Sequence, residues 1–154
     1  MSSAVGSEDR IEREILIEAP LERVWDLVSE PGWWIGDGDR SSQTITREGD
    51  LVIVEDPRYG RYPVLPVSTD APRHVSYRSS DDPGQTPGEE EGNSTLVEFF
   101  LTEQGGGTLL RVVESGFAAL AVPAERRAAA IEGNTEGWEQ QLGFAKRDAE
   151  HVRA

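Results

Sequence analysis

Hydrophobic side chains recur along this chain in two rhythms. From Pro123 to Val152 the period is helical. Ala128, Ile131, Thr135, Trp138, Leu142, Ala145, Ala149 and Val152 follow at alternating steps of three and four, which places them on one stripe of a helix. Glu136, Glu139, Gln140, Lys146, Arg147 and Glu150 lie off that stripe. At ~1.5 Å per residue such a helix runs about 45 Å, so only a broad, curved sheet could cover it. Gly133-Asn134 reads locally as a stop and a restart. The stripe keeps its phase across that pair, so the pattern predicts one helix, kinked or loosened near Gly133. Gly133, Gly137 and Gly143 each cost about 1 kcal/mol against Ala in a helix interior, so packing on a partner sheet has to hold the element.

From Ser42 onward the period is two. Alternation predicts strands near 43–47, 50–55, 60–69, 73–80, 95–102 and 108–114. Turns fall at Glu48-Gly49, Asp56-Pro57, Asp70-Ala71-Pro72 and Gly105-Gly106-Gly107, which makes an antiparallel meander. Pro63 and Pro66 each withhold a backbone donor, so their strand is an edge, is bulged, or is shorter than drawn. Ahead of the meander, residues 10–19 read as a first strand with Ile11, Ile15, Ile17 and Ala19 on one face. Pro20 opens a short helix, 21–29, that buries Val24, Leu27 and Val28. Pro31-Gly32 ends it, and a second short helix is expected near Trp33-Trp34, before the Gly36-Asp37-Gly38-Asp39 turn. Of the two adjacent indoles, one should plug the core and the other border a cavity.

Two stretches carry neither rhythm. Met1 to Asp9 is small and polar, and is expected to be a disordered arm. Asp81 to Asn93 holds five acids, two Pro and three Gly with no large apolar side chain, and is expected to be a mobile loop. Residues 10–154 then form one domain. With no Cys, neither a disulfide nor a thiolate site exists. The start is not a signal peptide, and no apolar run approaches the ~20 residues that span a bilayer. The expected location is the cytoplasm. Twenty-nine acids against 15 Lys and Arg give a net charge of −14. That balance opposes contact with nucleic acid or an anionic membrane surface.

Candidate chemistry is sparse. The two His, His74 and His151, stand far apart, and no His-Glu-x-x-His helix or Cys/His cluster offers a metal site. Ser115 follows Glu114 and lacks a nucleophile elbow, while Gly105-Gly106-Gly107-Thr108 lacks the Lys of a phosphate loop. No catalytic residue, metal or cofactor is expected. Asp37 and Asp39 could pair as carboxylates, although turns use Asp for their own hydrogen bonds. Tyr59 or Tyr62 could orient a polar group of a ligand, and Arg58 or Arg61 could pair a carboxylate; otherwise all four are exposed edge residues.

Five stretches carry a family resemblance. They are Ile17-Glu18-Ala19-Pro20-Leu21-Glu22-Arg23-Val24-Trp25, Trp33-Trp34, Gly106-Gly107-Thr108-Leu109-Leu110-Arg111-Val112, Glu114-Ser115-Gly116-Phe117 and Glu136-Gly137-Trp138. Together they cover nearly the whole chain, and in this order the chain resembles the START-like (SRPBCC) superfamily. Within it, the chain resembles the family related to the C-terminal domain of the activator of Hsp90 ATPase. The resemblance implies an α+β helix-grip fold: a curved antiparallel sheet around a long C-terminal helix, with two short helices after the first strand and an apolar cavity between. It also implies several functions, since members include ligand carriers, cyclase-like enzymes and chaperone partners. The activator itself has a further N-terminal domain. Here only Met1 to Asp9 precede the first strand, so this chain is not expected to stimulate an Hsp90-type ATPase.

The reading that follows is a domain that binds a small apolar or amphipathic ligand. Its candidate cavity wall is Trp33, Trp34, Tyr62, Phe99, Phe117, Trp138 and Leu142. The alternatives are a cyclase- or hydrolase-like enzyme and a chaperone-interaction module.

Overall fold

The structure, a computed structural model, describes residues 10–39, 41–80, 84–89 and 91–151. The N-terminal arm, Val152 of the helical stripe and four positions of the acidic loop lie outside the described residues.

The two-residue rhythm becomes an antiparallel sheet of seven strands: β1 (Arg10–Ile17), β2 (Thr44–Glu48), β3 (Leu51–Asp56), β4 (Gly60–Asp70), β5 (His74–Ser79), β6 (Thr95–Gln104) and β7 (Gly107–Ser115). Their spatial order is β1-β7-β6-β5-β4-β3-β2, so the first strand lies beside the last. Alternation fixes the faces. On β6, Thr95, Val97, Phe99 and Leu101 point inward, and on β7 Thr108, Leu110, Val112 and Glu114 do the same. The register sets Phe99 opposite Val112 and Val97 opposite Glu114.

The prolines of β4 have a structural reason. Gly60–Val64 pairs with β3, whereas Leu65–Asp70 pairs with β5, with a register shift between Pro66 and Ser68. Each half is therefore without a ladder partner on one side, where a missing N–H goes unnoticed. The strand is bulged and internal. Where β4 leaves β5, the sheet opens beside Tyr62, Ser79 and Ser80.

Helix α1 (Leu21–Val28) buries Leu21, Val24 and Val28. Its first turn closes on the Pro20 carbonyl, which accepts from Arg23 N–H at 3.0 Å. The second short helix expected near Trp33-Trp34 is absent; successive turns take its place. The reason lies in the backbone: Gly32, Gly36 and Gly38 have φ of +82°, +99° and +92°, which a right-handed helix cannot accommodate. The one other helical turn among the described residues is a short 3-10 segment at Phe117–Ala119.

Helix α2 (Ala124–Glu150) runs unbroken through Gly133-Asn134. Its stripe is gripped unevenly. Trp138, Leu142, Ala145 and Ala149 are buried, Ile131 is half-buried and Ala128 is exposed. The sheet thus holds the C-terminal half and stands away from the first turns. Polar contacts fasten the held half at its rim. Gln141 Nε2 donates to the Gly36 carbonyl at 2.7 Å and Arg147 to that of Gly38 at 3.0 Å, while Glu150 accepts from Glu18 N–H at 2.8 Å. That N–H, together with Lys146, holds the Glu150 carboxyl below its usual range.

Between sheet and helix lies a cluster of five rings. Phe99 stands 5.2 Å from Trp33, 5.4 Å from Trp34 and 5.7 Å from Trp138, and Tyr77 lies 5.3 Å from Trp34. All are tilted or edge-on, the favoured packing for aromatic quadrupoles. Tyr77 OH reaches the Ser29 carbonyl at 2.9 Å, and burial pushes its pKa up. Trp33 is 4% exposed, and its indole N–H has no hydrogen-bond partner among the described residues.

Gly38 tests how tightly the loop is bound to the helix. A Cβ there would lie 2.7 Å from the Phe144 ring, at a φ that L-residues avoid. Gly38→Ala should lower the unfolding free energy by about 1–3 kcal/mol, as for other strained backbone sites. Urea unfolding measures it, and an unchanged midpoint would show that the loop yields freely.

Candidate ligand pocket

The inward rhythm of β7 ends on an acid. After Leu110 and Val112 the next inward position is Glu114, 3% exposed. Burying a carboxylate is costly unless donors meet it. Here Trp138 Nε1 donates to Oε1 at 2.8 Å and Thr95 Oγ1 to Oε2 at 2.5 Å. Asn134 Nδ2 lies 3.2 and 3.3 Å from the two oxygens. One side chain thereby joins β7, β6 and two successive turns of α2.

Glu114 forms part of the wall of a pocket of about 230 Å³ that opens to solvent. Val97 and the Trp138 edge adjoin it on the inner side. Tyr62 of β4 and Ser79-Ser80 at the end of β5 line the gap where the sheet opens. The turn Trp34-Ile35-Gly36 and Tyr59 form another side, and α2 supplies Gly133, Asn134, Gly137 and Gln141. A second, more polar pocket of about 250 Å³ shares Ser79 and Ser80 and extends toward Arg126.

The lip is fixed by charge. Arg58 reaches Asp37 Oδ2 at 3.1 Å, the Asp39 carbonyl at 2.8 Å and the buried Asp56 carboxylate at 3.3 Å. This joins the glycine turn to the β3–β4 hairpin. Asp56 is held below its ordinary pKa by the backbone N–H of Arg58 and by the guanidinium. Tyr59 OH donates to Asp37 Oδ2 at 3.1 Å, which raises the phenol's pKa. Asp37 and Asp39 serve the turn itself, accepting from Asp39 N–H and Ser41 N–H. Arg61 pairs with Glu48 on the outer surface. His74 lies against Glu98 at 3.0 Å, and His151 Nδ1 against the Arg147 carbonyl at 2.7 Å. No group of three metal-ligating side chains occurs among the described residues.

Of the candidate wall residues, Trp34, Tyr62 and Trp138 line the pocket. Trp33, Phe99 and Leu142 stand in the packed core instead: Trp33 and Phe99 belong to the ring cluster, and Leu142 lies on the buried part of the helix stripe. Phe117, fully buried under the 3-10 turn, is also core and does not line the pocket. The sequence reading passed over Glu114, Asn134, Gln141, Ser79 and Ser80. Glu114 was within reach of pattern alone, since it shares parity with Leu110 and Val112. The others become neighbours only when the helix crosses the sheet.

A curved antiparallel sheet closed over one long C-terminal helix is the architecture of the START-like, or SRPBCC, domains. The chain belongs to the family of activator of Hsp90 ATPase homolog 1-like proteins, whose model matches residues 18–145. The Mesorhizobium loti protein MLL2253 superposes with a TM-score of 0.66 at 21% identity, over 94% of this chain and 99% of that one. The Bacillus halodurans protein BH1534 gives 0.62 at 22% identity, over 92% and 99%. DynU16, from the dynemicin biosynthetic locus, gives 0.65 at 18% identity; 93% of this chain matches 48% of that one, about half its length. These likenesses show the fold alone. No curated protein matches the chain in sequence. Among the described residues, no helix is long and apolar enough to cross a membrane.

Removing the acid should expose its structural share. Glu114→Ala leaves the buried Trp138 and Thr95 donors without this acceptor, at about 1–3 kcal/mol for each. We expect a loss of at least about 2 kcal/mol in urea unfolding, and a coupling of roughly 0.5–3 kcal/mol with Trp138→Phe in a double-mutant cycle. Additive effects would show that the Trp138 contact carries no weight.

The lip carries a pH dependence. The folded pKa of Asp56 lies below its ordinary value of 3.8, so the unfolded chain binds the proton more readily. The clamp's contribution is complete above that value and is lost as pH falls through the lowered one. Asp56→Asn should remove this part of the acid limb when stability is followed below about pH 4. An acid limb unchanged in the variant would place the titration elsewhere.

Proposed function

We propose that this chain binds a small, mainly apolar molecule that carries a hydrogen-bond donor on one edge. The observation that carries the proposal is the Glu114 carboxylate, set in the wall of an aromatic-bordered pocket and oriented by Trp138, Thr95 and Asn134. Aromatic and apolar walls with a few placed polar groups are the usual composition of a ligand site, and here Ser79, Ser80, Asn134 and Gln141 stand beside Glu114. The aromatic surfaces supply burial, and the acceptor selects for a hydroxyl or amine. A ligand carboxylate brought against Glu114 would meet like charge in a poorly solvated place, within a protein of net charge −14. The fixed lip keeps the pocket formed before the ligand arrives, which lowers the ordering cost of binding.

The family match favours a second reading, a module that contacts a chaperone. The two readings part on the pocket variants: a ligand carrier loses its function with them, and a contact through the outer surface does not.

The test is a titration at pH 7 with 2-naphthol, naphthalene and 2-naphthoate, followed by tryptophan emission. Saturable binding of 2-naphthol is expected. It should exceed that of naphthalene and of 2-naphthoate by about tenfold, roughly 1.4 kcal/mol. Glu114→Gln should narrow the gap to 2-naphthoate. No saturable change with 2-naphthol up to ~1 mM, where binding is worth only about 4 kcal/mol, would sink the proposal.

A further inference from the structure

Two glycines of the pocket wall lack a reason within the protein. Gly133 and Gly137 sit one turn apart on α2, both at the pocket. Helix propensity disfavours glycine at each position. Beyond its adjacent residues and its own helix backbone, a Cβ added at either would meet no atom within 4 Å, so no packed neighbour requires the gap. Gly143, exposed on the same helix, has equal room but borders no pocket, whereas a Cβ at Gly107 would lie 2.6 Å from the Ile17 carbonyl. The space left open beside Gly133 and Gly137 is the pocket itself.

We infer that Gly133 and Gly137 are the specificity-determining positions of this pocket, their bare backbone forming a flat wall for a rigid, flat ring system. This rests on the ligand-binding reading above. The stretch from one glycine to the other spans about 6 Å along the helix axis, the scale of a ring or two. Trp34 and Tyr62 add flat aromatic surface to the same pocket, and the pocket volume of about 230 Å³ favours a compact molecule over a long chain. A flexible alkyl chain would lose rotational freedom on entering and gain little from a flat wall. The residue after Gly133 and the residue after Gly137 are Asn134 and Trp138, which orient Glu114. A ring lying on the glycines therefore places its rim near that acid. The ligand class is an uncharged or cationic fused-ring molecule with a donor on its rim.

The experiment compares 2-naphthol with 1-nonanol on the full chain and on three variants. Wild type should bind 2-naphthol at least about tenfold more tightly. Gly133→Ala/Gly137→Ala should raise the thermal midpoint and weaken 2-naphthol at least about tenfold; Gly137→Leu should raise the midpoint and abolish binding. Gly143→Ala, away from the pocket, should raise the midpoint with binding changed less than about twofold. Greater stability with lost binding excludes misfolding as the cause. If the pocket variants bind 2-naphthol as wild type does, or if their midpoints fall, the assignment of the glycines is wrong and the pocket reading stands. If wild type binds 1-nonanol as tightly as 2-naphthol, the flat-ring class is wrong. Binding of neither probe overturns the pocket reading and this inference together.

Discussion

Helix α2 is held to the sheet by two unlike means that meet at Trp138. One face of its indole joins the ring cluster around Phe99, and its N–H is committed to the buried Glu114 carboxylate. The carboxylate requires that donor and those of Thr95 and Asn134, since an unmet charge in this place would be far costlier than the hydrogen bonds are worth. The position of the helix along the sheet is therefore set to within a hydrogen bond's tolerance at this point. Trp34, wedged between Tyr77, Phe99 and Trp138, takes its place from the same arrangement.

The uneven grip follows from this anchoring. C-terminal to Trp138 the stripe is buried, and small residues at Ala145 and Ala149 let the helix lie close to the sheet. N-terminal to it the stripe is only partly covered. The pocket occupies the wedge that remains, bordered by the place where β4 changes partners. Its walls are thus consequences of two irregularities, a proline-bearing strand that pairs with a different neighbour in each half and a helix with glycine where a side chain would fit. Both cost stability locally and leave space beside an oriented acceptor.

The Arg58 clamp explains why the space has a firm edge. The glycine turn at Gly36–Gly38 has little packing of its own, yet it is fastened on one side by Asp37 and Asp39 to Arg58 and on the other by its carbonyls to Gln141 and Arg147. Tyr59, 43% exposed, stands at the rim with its hydroxyl already engaged. The aromatic border is therefore positioned from both the sheet side and the helix side.

Periodicity alone determined the strands, the short first helix, the long last helix and the part of its stripe that is buried from Trp138 onward, because burial of one face imposes a repeat that can be read without knowing the partner. It carried through Gly133-Asn134, where local cap signals argued for a break. It could also tell that Pro63 and Pro66 disturb their strand, since a missing donor is a local fact. The second short helix failed because positive φ at three glycines outweighs the apolar character of the tryptophans. Which indole would face the core and which the pocket was not legible, for Trp33 and Trp34 are chemically alike and differ only in what surrounds them. The meeting of Glu114 with Thr95, Asn134 and Trp138 required the register of β6 on β7 and the crossing of the helix above them. Those are distances between residues far apart in the chain, set by packing, and the tertiary structure alone decided them.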